Sequence, residues 1–156
     1  MVEHIDQLRF AFKTVSVQSP FTIDAIVILP EHLHTIWTLP KSDDDYPSAA
    51  GAKPNRWRAI KSLFTRTLKK EGVKLRKNSR GEYQLWQRRY WEHTLHSEND
   101  LQSHIDYIHY NPVKHGLVSS VCEWPHSSFH RYVKDGLLDV NWSDDINIYS
   151  NSNFGE

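Results

Sequence analysis

The stretch ILPEHLHTIW, residues 28–37, decides how the rest of the chain is read. It continues from FTIDAIVILP (21–30), a β-branched run that reads as a strand ending at Pro30. HLHTIWTLP (32–40) resumes extended structure up to Pro40, so the two runs are either neighbouring strands or one strand bent at Pro30-Glu31. Side chains two apart on a strand share a face, which points His32 and His34 together and Leu33 away from them. Two imidazoles on one face can share a divalent cation. In a chain with ten histidines they can equally be ordinary strand side chains. Cys122 is the sole cysteine, which excludes a thiolate cluster and a disulfide framework and makes a reducing, cytoplasmic setting the expectation. A metal at this pair would take its other ligands from oxygen or water, an open arrangement suited to Mg²⁺ or Mn²⁺.

Upstream, Ile5, Leu8, Phe12 and Val15 are spaced as one face of a helix. Downstream, residues 41–55 are a polar loop, after which Asn55 can cap a helix through RWRAIKSLFTRTLKKEG (56–72). Trp57, Ile60, Leu63/Phe64 and Leu68 are its apolar stripe, and Gly72 is its terminator. VKLRKNSRGEYQ (73–84) reads as a basic loop or hairpin turning near Arg80-Gly81, and LWQRRYWEHTL (85–95) as a strand. Ser97 can cap a helix over ENDLQSHIDYIHY (98–110) that stops at Asn111, because Pro112 disfavours helix in the residue before it. PVKHGLV (112–118) is then a separate helical turn ended by Gly116. Helix, strand or strands, helix, strand, helix is the order of a single α+β domain over residues 1–145, with a polar tail at 146–156. No apolar run reaches the length of a membrane helix, and the charged start MVEHIDQLRFAFK is not a signal peptide.

A net charge of zero conceals a strong asymmetry. Residues 53–89 hold thirteen Lys and Arg against two acids, Glu71 and Glu82, so the remainder is acidic by the same excess of eleven. Such a block is either a solvated basic face or a surface for a polyanion. In HIDYIHYNPVKHGLV (104–118), Tyr107 and Asn111 lie one helical turn apart on one face. Asn111 offers a carbonyl oxygen to a hard cation, and Tyr107 offers a phenol that a cation beside the electrophile could make an effective nucleophile. Taken singly, each is also an ordinary core or capping residue.

Five ordered blocks, PEHLHTIWTLP, RWRAIKSLFTR, LWQRRYWEHTL, DYIHYNPVKHGLV and EWPHSSFHRYV, resemble the REP-associated tyrosine transposases, single-tyrosine members of the HUH (His-hydrophobic-His) nucleases. The resemblance spans about residues 2–145. It implies a ferredoxin-like sheet of small size carrying the histidine pair, with helices packed on it and the nucleophilic tyrosine on one of them. His32 and His34 match the metal-binding pair, Tyr107 the nucleophile, and Asn111 the place of the third metal-binding side chain. Family members begin with a strand ahead of the first helix, whereas this chain opens at that helix.

The implied activity is metal-dependent cleavage and transfer of single-stranded DNA at REP-type hairpins through a 5′-phosphotyrosine. Mg²⁺ or Mn²⁺ is the sole implied cofactor, and a monomer is expected, with a dimer as the alternative. Arg56, Arg58, Lys61, Arg66, Arg88, Arg89 and Lys114 are the expected DNA contacts, the cations meeting phosphates and exposed aromatics the bases. EWPHSSFHRYV is a further candidate for that surface, although Trp124 and Phe129 read as core. Three rivals stand beside this reading. They are a descendant that binds hairpins without cutting, a phosphodiesterase in which water attacks, and a generic RNA-binding α+β module.

Overall fold

The computed structural model describes residues 1–41, 56–87 and 91–142. The expected loop at 41–55 (beyond Lys41), the Asn55 cap and the 146–156 tail lie outside the described residues. The elements are α1 (Ile5–Gln18), β1 (Thr22–Ile28), β2 (Leu33–Thr38), α2 (Arg56–Lys70), α3 (Glu98–Lys114) and α4 (Phe129–Lys134). Short 3-10 turns occupy Val2–His4 and Val121–Glu123. The architecture is α+β, as the order of elements suggested. The chain divides into two compact units.

One unit contains α1, α2 and the segment after α2. Leu8, Ala11, Phe12 and Val15 are the buried face of α1, and Ile60, Phe64 and Leu68 recur at helical spacing as that of α2. Phe12 meets Trp57 edge-on at 5.8 Å, and Phe64 meets Trp86 at 5.5 Å. Gly72, at φ 80°, ends α2: its N–H donates to Lys69 O (3.1 Å) while Val73 N–H donates to Leu68 O (3.0 Å). This is the reciprocal bonding a left-handed residue permits at a helix end. The basic hairpin forms as expected, with a bridge between Lys77 and Tyr83 and the turn at Gly81.

The other unit holds most of both strands and everything from Trp91 on. β1 and β2 pair as a two-stranded antiparallel sheet. Leu29 N–H donates to His32 O (2.9 Å), so Pro30 and Glu31 form the turn of a hairpin and not the kink of one strand. Ala25, Val27 and Leu29 pack with Ile105 and Ile108 of α3, and Ile36 joins them from β2. Ile36 has the parity of His32 and His34, so the histidine face of β2 is the face that α3 covers. Residues 126–128 prolong the sheet along β1: Ile28 N–H donates to His126 O (2.9 Å) and Ser128 N–H to Ile26 O (2.8 Å). The end of this unit is tied to β1, with Trp124 Nε1 donating to Ile28 O (3.1 Å), Tyr132 OH to Asp24 O (3.1 Å) and Arg131 to the Ile23 and Asp24 carbonyls. Much of EWPHSSFHRYV is thereby scaffold.

Two elements depart from the sequence reading. α3 does not stop at Asn111 but runs through Pro112 to Lys114. Proline forfeits one bond, that to the Ile108 carbonyl, and the restriction it places on its neighbour is a preference. Ile108, Asn111 and Pro112 are all buried, and packing outweighs that preference. The end is secured beyond it by His115 N–H to Asn111 O (3.0 Å) and Leu117 N–H to Pro112 O (2.9 Å). PVKHGLV is therefore the end of α3, stopped as expected at Gly116.

The second departure is in LWQRRYWEHTL, whose described residues, 85–87 and 91–95, form no strand. Their aromatic rings pack against side chains: Trp86 also donates to Thr65 Oγ1 (3.2 Å), and Trp91 stacks on His93 at 5.5 Å. Among the described residues, no helix is long and apolar enough to cross a membrane.

Candidate active site

β2 and α3 build the site. His32 enters β2 and His34 lies within it, their ring centroids 5.1 Å apart and edge-on. His34 in turn meets the Tyr107 ring at 5.4 Å, at an interplanar angle of 83°. The Nε2 atoms of both histidines are shielded from solvent. Tyr107 is 3 % exposed and Asn111, one turn further along α3, is fully buried. Ser97 caps this helix, its hydroxyl accepting the Asp100 N–H (3.1 Å). The continuous turn through Pro112 then holds Tyr107, Asn111 and Lys114 in helical phase.

Lys114, a candidate DNA contact and exposed at the end of α3, also lies against the phenol: Nζ donates to Tyr107 Oη at 3.1 Å and sits 4.8 Å from the ring centroid. The ammonium is therefore both a hydrogen-bond donor to the phenol oxygen and a cation over the ring. His115 is a neighbour that sequence reasoning missed, its ring 5.2 Å from that of His32. The spacing Tyr107, Asn111, His115 carried the signal, and the break expected at Pro112 hid it.

The residues fit a metal. Asn111 is fully buried, yet neither its Oδ1 nor its Nδ2 has a hydrogen-bond partner. An unsatisfied buried amide costs about 1–3 kcal/mol, a cost that ligation of a cation by the carbonyl would offset. Two imidazoles and an amide oxygen form a nitrogen–oxygen donor set that suits Mn²⁺ and, more weakly, Mg²⁺.

The basic candidates divide by environment. Arg56 is not a DNA-facing residue: it is 4 % exposed, and its guanidinium donates to Ser19 O (3.1 Å) and Pro20 O (2.9 Å), satisfying the end of α1. Lys61 is half-buried, donating to Gln87 O (3.3 Å) with its ammonium 5.9 Å from the Trp57 ring and 5.5 Å from that of Trp86. Burial lowers its pKa from the usual lysine value. Arg58 and Arg66 are exposed on α2, and Arg88 and Arg89 lie outside the described residues.

Comparison with known proteins gives the same answer from sequence and from structure. The chain is 44% identical over 143 residues to the REP-associated tyrosine transposase of Escherichia coli (strain K12), covering 92% of this chain and 75% of that one. It is 43% identical over 145 residues to a putative REP-associated tyrosine transposase of Haemophilus influenzae (strain ATCC 51907 / DSM 11121 / KW20 / Rd), covering 91% and 78%. A solved REP-associated tyrosine transposase bound to a REP hairpin superposes with a TM-score of 0.76 at 41% identity, over 96% of this chain and 78% of that one. No family model matches.

Proposed function

The chain belongs to the REP-associated tyrosine transposases, and we propose that it cuts and rejoins single-stranded DNA at REP-type hairpins with Tyr107 as nucleophile. The observation that carries this reading is the Tyr107 phenol held between His34 and the Lys114 ammonium. Residues 1–145 serve as one functional module, acting as a monomer.

Tyr107 Oη attacks the scissile phosphorus and the bond from phosphorus to the 3′ oxygen breaks. The 3′ oxygen leaves as a hydroxyl, taking up a proton, and the 5′ phosphate stays on tyrosine. The bond energy is retained, so a 3′-hydroxyl attacking the phosphotyrosine reseals the strand without ATP. A phenol with its usual pKa near 10 is a weak nucleophile. As its proton departs, the Lys114 ammonium stands at hydrogen-bond distance from the oxygen that gains charge. Its position over the ring also fixes the phenol's orientation.

His32, His34 and Asn111 would hold the divalent ion, Mg²⁺ or Mn²⁺. Its chemistry when bound is to polarise the scissile phosphate and neutralise charge on its oxygens. Arg58, Arg66, Arg88 and Arg89 contact the DNA backbone.

A denaturing gel with end-labelled hairpin DNA tests the proposal. Wild-type protein with Mg²⁺ or Mn²⁺ is expected to give an SDS-resistant protein–DNA band that chelation and Tyr107→Phe both abolish. Hairpin binding with no such band from the wild type, in either metal, would identify a binding protein that does not cut. Cleavage without a covalent band in Tyr107→Phe would assign the attack to water.

A further inference from the structure

One polar cluster takes no part in the chemistry above. His93 Nε2 and Asp100 Oδ2 are 3.1 Å apart, and His104 Nδ1 and Asp100 Oδ1 are likewise 3.1 Å apart. Each of the three residues offers one ligand atom, and these atoms lie within 4.8 Å of one another. The two imidazoles are stacked, with centroids 5.2 Å apart and planes at 15°, and the Trp91 indole stacks on both. His93 and Trp91 are exposed and precede α3, whereas His104 is buried within it.

We propose that His93, Asp100 and His104 form a second divalent-cation site, of the zinc class, that fastens residues 91–97 to α3. Ligands at the usual 2.0–2.2 Å from a tetrahedral zinc ion stand roughly 3.3 Å apart; each ring nitrogen already lies 3.1 Å from a carboxylate oxygen, and ion binding would draw the three ligand atoms in from within 4.8 Å. Two imidazoles and one carboxylate favour late first-row ions over Mg²⁺, which prefers oxygen. The exposure of His93 leaves the fourth position to water. The amino end of α3 carries partial positive charge that opposes a cation, and Glu98 and Asp100 in its first turn offset it. The competing arrangement has one proton bridging His93 Nε2 to the carboxylate and another bridging His104 Nδ1 to the Asp100 main-chain carbonyl, 2.8 Å away, a bond that cation binding would replace. The site shares no residue with the set His32, His34 and Asn111, and the inference stands independently of the proposed cleavage activity.

The test uses the full-length chain carrying His34→Ala, which disables the other histidine pair, freed of metal and titrated with Zn²⁺ in excess Mg²⁺ by calorimetry. One equivalent is expected to bind. A further His93→Gln, which retains a hydrogen bond to Asp100, is expected to weaken binding by about a hundred-fold or more while leaving the metal-free melting temperature in place. Zn²⁺ is also expected to slow amide hydrogen exchange across residues 91–97 in the first protein and not in the second. Absence of Zn²⁺ binding in the His34→Ala protein, or equal binding with and without His93, would overturn the proposal and leave a proton-bridged cluster.

Discussion

In the proposed mechanism Asn111 separates function from stability within a single side chain. Its amide is fully buried and unbonded at both ends, so it contributes nothing to the fold that an apolar residue of similar volume would not. Asn111→Leu is therefore expected to match or exceed the wild-type stability, by up to about 1–2 kcal/mol, while losing metal-dependent adduct formation; scanning calorimetry and the gel assay check the two halves. Lys114 behaves in the opposite sense. Lys114→Gln removes the charge beside the phenol but keeps a donor, and is expected to slow adduct formation about ten- to a hundred-fold, the equivalent of 1.4–2.7 kcal/mol. Hairpin affinity should change far less, and equal losses in both would return Lys114 to the DNA-contact set.

His109 gives the unit a pH dependence unrelated to catalysis. Burial, assisted by the charges of Arg131 and His130, lowers its pKa to about 4. The neutral ring lies 2.9 Å from the Ser128 hydroxyl, which itself accepts the Ile26 N–H (2.9 Å). The unfolded chain takes up this proton near pH 6.5, the folded chain only near 4, so stability is complete above the first value and falls as pH drops through the window. The loss from this ring reaches on the order of 3 kcal/mol. Denaturant midpoints measured from neutral pH down to about 4 should fall in the wild type and less steeply in His109→Gln.

At the scale of elements, period and capping were enough to locate most of what matters. The β-branched run and its alternation placed His32 and His34 on one face, and helical spacing placed Tyr107 and Asn111 on another. What they could not weigh was packing. Pro112 reads locally as a boundary, yet buried neighbours on both sides carry α3 through it, and that continuity brings Lys114 onto Tyr107. The aromatic run at 85–95 has strand composition, but among its described residues no ladder forms and the rings of Trp86 and Trp91 find side-chain partners. Arg56 was misread for the same reason, because charge in a sequence does not reveal burial. Arg56→Ala leaves two carbonyls unbonded and is expected to cost about 2–3 kcal/mol of stability, without the loss of hairpin affinity expected of Arg58→Ala or Arg66→Ala.

Over the whole molecule the charge asymmetry sets the terms of DNA binding. The basic excess lies between Lys53 and Arg89, while the tyrosine and histidines lie outside that stretch. Affinity for hairpin DNA should fall linearly on a log–log plot against salt, and removing Arg58 and Arg66 together should make the slope shallower by about 1–2 units. Chelation should leave that binding largely intact and abolish the covalent product, since phosphate contacts and the metal-assisted step draw on different residues.

The measurement that bears most directly on Tyr107 as nucleophile is mass spectrometry of the covalent product after nuclease and protease digestion. Attack by Tyr107 leaves a nucleotide remnant on that residue, joined through a 5′ phosphate, in the peptide that also contains Tyr110. A remnant on Tyr110 or elsewhere, or cleaved DNA without any peptide attached, would contradict it.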